Sequence, residues 1–127
     1  MQQASQFRKF RPVFIGRDRF NTAPLDYRTL VLDDLQEQQA FSRKLWQVIT
    51  RDPTPYLQLL KDDKPLLLHA HFGVEGVYAL PISRKLGIPL ITTFHGFDAT
   101  TSVNGLIKSG SISWINYALF RHQLAKE

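Results

Sequence analysis

The 127-residue chain has no cysteine. That removes disulfide frameworks, thiolate metal sites and thiol nucleophiles, and fits a reducing compartment. No apolar run approaches the roughly 18 residues that a membrane-spanning helix needs. The opening MQQASQFRKFRPV also lacks the apolar stretch of a secretory leader, so the expected location is the cytoplasm. The three-glycine dinucleotide fingerprint and the lysine of a P-loop are absent, and no serine sits in a nucleophile elbow, which disfavours a hydrolase. Internal repeats and low-complexity segments are missing too. The net charge is +5, yet no recognition helix, zinc-finger spacing or aromatic ribonucleoprotein motif accompanies it, so nucleic acid is not an expected partner.

What is present describes an ordinary folded domain. Hydrophobic residues make up 43% and charged residues 21%, a balance that supports a core and excludes a disordered chain. The length accommodates one domain, residues 1–127, with no room for a second of usual size. Arg8, Lys9, Arg11, Arg17 and Arg19 cluster near the start. A solvated basic face accounts for them, with an anionic membrane surface as the next reading.

The stretch LLLHAHFGVEGVYALPISRKLGIPLITTFHGFDAT, residues 66–100, carries the most information. Leu66, Leu67 and Leu68 form one apolar run and residues 90–94 another, as expected of parallel strands covered on both faces. Gly87, Ile88 and Pro89 stop the helix between them, and the span has about the thirty-residue length of a βαβ unit. A crossover of this kind returns to the same sheet in the same direction. His71 with Gly73, and His95 with Gly96, therefore emerge at one carboxyl edge, where open α/β sheets bind ligands. The fold class is thus α/β, a Rossmann-like parallel sheet with flanking helices.

Pattern extends this reading along the chain. Pro12 to Gly16 reads as a short strand preceded by a helix that Phe7 and Phe10 close, residues 21–26 as a turn, and Arg28 to Leu32 as an edge strand. Asp33 or Asp34 is expected to cap a helix whose core stripe is Phe41, Leu45, Val48 and Ile49, ending at Pro53 and Pro55. A short helix covers residues 56–60. Pro81 is expected to kink the crossover helix, whose core stripe is Tyr78, Ile82 and Leu86. Residues 100–110 read as a polar loop. Ser111 or Ser113 then caps a last helix that turns Ile112, Ile115 and Leu119 to one side and runs to Glu127.

His69 and His71 lie two apart on a strand and share a face, so with His95 they could supply three nitrogens to zinc. For His69 inside the strand, a satisfied core histidine is the better reading. His71 and His95, at the ligand edge, are read as functional. Gly73 and Gly76 flank the start of the crossover helix, whose first N–H groups can receive a hydroxyl or an anion, although capping and tight-turn geometry explain them as well. Asp98 orients the His95 loop or meets a substrate hydroxyl, with an Asx-turn to its own backbone as an equal alternative.

HAHFGVEGVYAL followed by TFHGFDAT resembles the amino-terminal domain of family 4 glycosyltransferases of the GT-B fold. The pieces RKFRPVFIG and YALFRHQLAKE resemble the same family's second strand and the helix before its interdomain region, so the likeness covers nearly the whole chain. It is nearest the branch that builds exopolysaccharide and colanic-acid-like polymers. The resemblance implies a retaining transferase of the hexosyltransferase type that moves a sugar from a nucleotide-sugar donor to a saccharide or lipid-linked acceptor. No metal or other cofactor is expected, and the location is cytoplasmic or peripheral at the inner membrane face. By the same match His95 is the catalytic histidine facing the transferred sugar, and His71, Gly73, Gly96 and Asp98 are substrate-binding.

The family pattern also sets expectations about what is not in this sequence. The first central strand with its glycine-rich loop is expected ahead of Gln2, and the carboxyl-terminal domain with its paired glutamates after Glu127. The sheet is then incomplete, and the chain alone is expected to be inactive. The Pro12–Gly16 and Arg28–Leu32 strands would pair on one side, and the Leu66 and Leu90 strands on the other. The alternative is direct pairing of Val13, Phe14 and Ile15 with the Leu66 strand. Two other functions remain: a stand-alone module that binds a sugar or nucleotide, and a small zinc protein.

Overall fold

The computed structural model describes residues 9–18, 27–35 and 40–126. The turn expected over residues 21–26 and the position of Phe7 lie outside them, and Phe10 is exposed and not helical. Two strands open the described chain, β1 (Val13–Gly16) and β2 (Arg28–Val31), and they pair in parallel. A 3-10 turn, Leu32–Asp34, leads on to α1 (Ala40–Thr50) and α2 (Thr54–Leu59). The βαβ unit follows as β3 (Leu68–Ala70), α3 (Gly73–Leu86) and β4 (Leu90–Thr92), with β3 and β4 parallel and in direct register. Three short helices come next, α4 (Phe97–Thr100), α5 (Val103–Lys108) and α6 (Ile112–Phe120), and then a 3-10 segment, Arg121–Lys126.

The fold is the expected mixed α/β class. Among the described residues β1–β2 and β3–β4 are separate two-stranded sheets, so β1 does not pair with β3. One apolar cluster nonetheless joins them: Leu32, Tyr56, Leu60, Leu68 and Ile82 are buried together, with Ile15, Leu30 and Leu90 packed against them. A second cluster holds α3 to the last helices through Val77, Tyr78, Leu106, Tyr117 and Ala118. No helix among the described residues is long and apolar enough to cross a membrane.

The crossover helix ends as its sequence dictates. Gly87 adopts a left-handed φ of 66°, the conformation glycine tolerates best, and its N–H returns to the Ser83 carbonyl. The helix is continuous through Pro81. Proline cannot donate to the carbonyl four residues back, which is Val77, and Arg51 Nη1 fills that vacancy at 3.1 Å.

Several expectations are corrected. Asp33 and Asp34 lie in the 3-10 turn rather than at the start of α1; Asp34 Oδ2 accepts the Val31 N–H at 3.0 Å. Pro53 and Pro55 open α2 as well as closing off α1, since proline suits a first helical turn. Leu66 and Leu67 precede β3 and are exposed, and β3 and β4 are covered on one face only: Leu68 and Ala70 are buried, whereas His69 and its partner Ile91 face outward. Leu86, expected in the α3 core stripe with Tyr78 and Ile82, is exposed. Residues 100–110 hold α5 instead of an open loop, because Ser102 caps it by accepting from Gly105 and Leu106 is buried beneath it. The last helix breaks at Phe120, with Asn116, Tyr117 and Ala118 inward and Ile112 and Leu119 exposed.

Helix α1 is rotated furthest from its expected orientation. Phe41 is 81% exposed, Leu45 and Ile49 are also exposed, and Gln47 is buried to 1%. Polar tethers set this rotation. Lys44 binds Asp18 at 2.6 Å and also Asp33, at the ends of the first two strands, and Asn116 donates to the Val48 carbonyl at 2.6 Å. Lys44 and Gln47 share a face at helical spacing, so fixing one inward carries the other with it. Both amide atoms of Gln47 lack a partner, a defect of about 1–3 kcal/mol. Gln47→Met keeps the volume and removes the orphaned amide. Its thermal melt is expected several degrees above wild type, and an unchanged or lower midpoint would refute this account of α1.

Candidate functional site

The parallel register of β3 and β4 places Ala70 beside Thr92 and sends both chains out at one sheet edge. The Thr93 N–H bonds the Ala70 carbonyl at 2.9 Å, extending the pairing by one step toward the site. His71 and His95 emerge there as expected, and both are exposed. Phe72 lies against the His95 ring, with centroids 4.3 Å apart and planes inclined by 34°. This contact restricts the imidazole. A Cβ built on Gly96 would meet nothing within 4 Å, so the space at Gly96, next to His95 in the chain, is open.

Asp98 and Gly73 are placed differently from the substrate-binding expectation. Asp98 is 1% exposed, and its two oxygens accept the Gly73 N–H and the His95 N–H, each at 2.6 Å. Of the roles open to it, orienting the loop is the one its carboxylate performs. Gly73 is buried, its N–H is already bound, and a Cβ there would come within 2.6 to 2.8 Å of the Tyr117 ring. Close packing explains this glycine, as it does Gly76, whose added Cβ would lie 2.9 Å from Thr92.

His69 is a correction as well. It is hydrogen-bonded, with Nε2 2.8 Å from Thr93 Oγ1, but it lies on the exposed face of β3 and not in the core. Its ring stacks on His71 with centroids 4.5 Å apart, so the two imidazoles lie side by side instead of converging on a common point. Among the described residues no three His, Asp or Glu side chains are placed to hold a metal ion.

Two site residues were missed in the sequence. Glu75 lies in the first turn of α3 and is exposed; partial desolvation raises its carboxyl above the usual value, and a hydrogen bond it accepts from the Phe72 backbone opposes that rise. Glu75 also senses Arg17, Asp98 and His95. Arg17 follows directly on β1, lies over the Tyr78 ring at 4.6 Å and donates to Ser113 Oγ at 3.3 Å. The glutamate at the third position of a helix was a readable capping signal. Nothing local in the sequence distinguished Arg17 from its basic neighbours.

His71 is exposed, but partial desolvation of its ring, with His69 and His95 nearby, holds the imidazole below its ordinary value of 6.5. The unfolded chain therefore takes up this proton more readily than the folded one. Stability is greatest above the ordinary imidazole value and falls as pH drops through it. The melting temperature is expected to fall between about pH 7 and pH 5, and less steeply in His71→Gln. Parallel curves for the two chains would show that His71 does not carry the dependence.

The fold and this edge are of the Rossmann type, with a histidine just past the carboxyl end of each of two adjacent parallel strands. The chain matches the family model Glycosyltransferase Family 4 over residues 8–126, and it belongs to that family; its role is that of a glycosyltransferase domain. No curated protein and no solved structure matches the chain.

Proposed function

We propose that this chain is the acceptor-side domain of a retaining glycosyltransferase that takes a sugar from a nucleotide diphosphate and passes it to a saccharide or lipid-linked acceptor hydroxyl, in exopolysaccharide-type polymer synthesis. The observation that carries the reading is His95: a ring braced by Phe72, with open space at Gly96, at the carboxyl edge of a family 4 domain. In the reaction the bond from the anomeric carbon to the donor phosphate breaks and a bond to the acceptor oxygen forms on the same face. The acceptor proton passes to the leaving phosphate. His95 orients the reacting sugar by hydrogen bonding, an effect of position and not of proton transfer.

His71 borders the same opening and contacts substrate beside it. The nucleotide is held by a second domain, so turnover needs closure of two halves and this chain alone gives none. No metal is part of this reading, as the family resemblance implies. Exposed Lys9 and Arg11 suit a peripheral contact with anionic lipid at the cytoplasmic face. Titrating the chain with nucleotide sugars and saccharide acceptors tests the reading, with the histidine ring resonances as the probe. Shifts centred on His95 and Phe72 are expected. Binding that leaves both unmoved, or no binding across the panel, would contradict it.

A further inference from the structure

We infer that Asp98 and Tyr117 are positioning residues that lock the turns after β3 and β4 into one unit, fixing where His95 and Phe72 stand. The functional meaning rests on the proposed role of His95; the physical content rests on geometry alone. Helix α3 begins at Gly73 behind Phe72, which has no side-chain oxygen to cap it. The missing cap comes from another helix. Asp98 Oδ2 accepts the Gly73 N–H and Oδ1 accepts the His95 N–H, both at 2.6 Å. A buried, charge-assisted pair of this kind is shielded from competition by water.

A third element closes the knot. Tyr117, from α6, donates its hydroxyl to the Asp98 backbone carbonyl at 2.7 Å, and its ring fills the space where Gly73 lacks a side chain. Asp98 is thus held from behind while it holds both site turns in front. Its carboxylate is also an internal anion at the start of α3, so this helix terminus is not left free for a donor phosphate. The ionisable groups around the carboxylate are Glu75, His95 and Tyr117, with Arg121 beside Tyr117.

Asparagine is nearly isosteric but cannot replace this aspartate. Asparagine offers one acceptor atom where aspartate uses two, so its NH₂ group confronts one of the two N–H donors. Amide hydrogen exchange resolved to Gly73 and His95 tests this in the purified chain. Asp98→Asn is expected to speed exchange at one or both by roughly tenfold or more. It should also displace the ring-current-shifted His95 resonances that report the Phe72 contact, while Val77 and Leu80 keep wild-type protection. Tyr117→Phe, which keeps ring and carboxylate, is expected to speed exchange at the same two amides by a smaller factor. Unchanged exchange at both in Asp98→Asn, or a loss spread evenly over the core, overturns the inference. Wild-type exchange in Tyr117→Phe removes Tyr117 from it.

Discussion

His95→Ala, placed in an enzyme that unites this domain with a nucleotide-binding half, is expected to lower kcat at least about tenfold, equivalent to about 1.4 kcal/mol or more of lost transition-state stabilisation. The folded state is expected to change little. His95 is exposed, its ring contacts Phe72, and the hydrogen bond that fixes the turn comes from its backbone N–H, which alanine retains. Exposed substitutions of this kind usually shift stability by no more than about 0.5 kcal/mol. Steady-state kinetics paired with a thermal melt separate the two effects. Unchanged kcat would remove His95 from the chemistry, and a collapsed melt would make it a structural residue.

Gly73→Ala is expected to disable the site from the opposite direction, through packing. Alanine is the better helix former by up to about 1 kcal/mol. Against that, its Cβ would come within 2.6 Å of Tyr117 Cε2, on a buried ring whose hydroxyl is tied to Asp98. Overpacking a rigid core costs about 1–3 kcal/mol, so the clash outweighs the propensity gain. The melting midpoint should fall by several degrees, with faster amide exchange at residues 73 and 95. Combining Gly73→Ala with Tyr117→Leu should restore part of the midpoint by making room. A midpoint at or above wild type for the single variant would show that Tyr117 moves aside freely.

The βαβ unit was the most legible part of the sequence because its signals are local. The Gly87 stop and the two histidines at one edge follow from spacing and handedness and are where the pattern put them, whereas both strands are shorter than expected and covered on one face. The rotations of α1 and α6 were not legible. The apolar stripe of Phe41, Leu45 and Ile49 is real in the sequence, yet Lys44 reaching Asp18 and Asp33, and Asn116 reaching the end of α1, turn it outward. Contacts across 11, 26 and 68 residues decided the matter. Asp98 shows the same limit within the site. Its bond to His95 three residues away was foreseeable, but its capping of α3 from 25 residues off was not.

Sugar transfer by a reconstituted pair of halves tests the central claim most directly. The 127-residue chain is mixed with, or fused to, a family 4 nucleotide-binding half, and radiolabelled sugar is followed from its nucleotide diphosphate into a saccharide acceptor. Each half alone is predicted to stay at background, and the assembled pair to transfer label with retention at the anomeric carbon. Sustained transfer by this chain alone, or none from a folded assembled pair across the donor panel, would contradict the account.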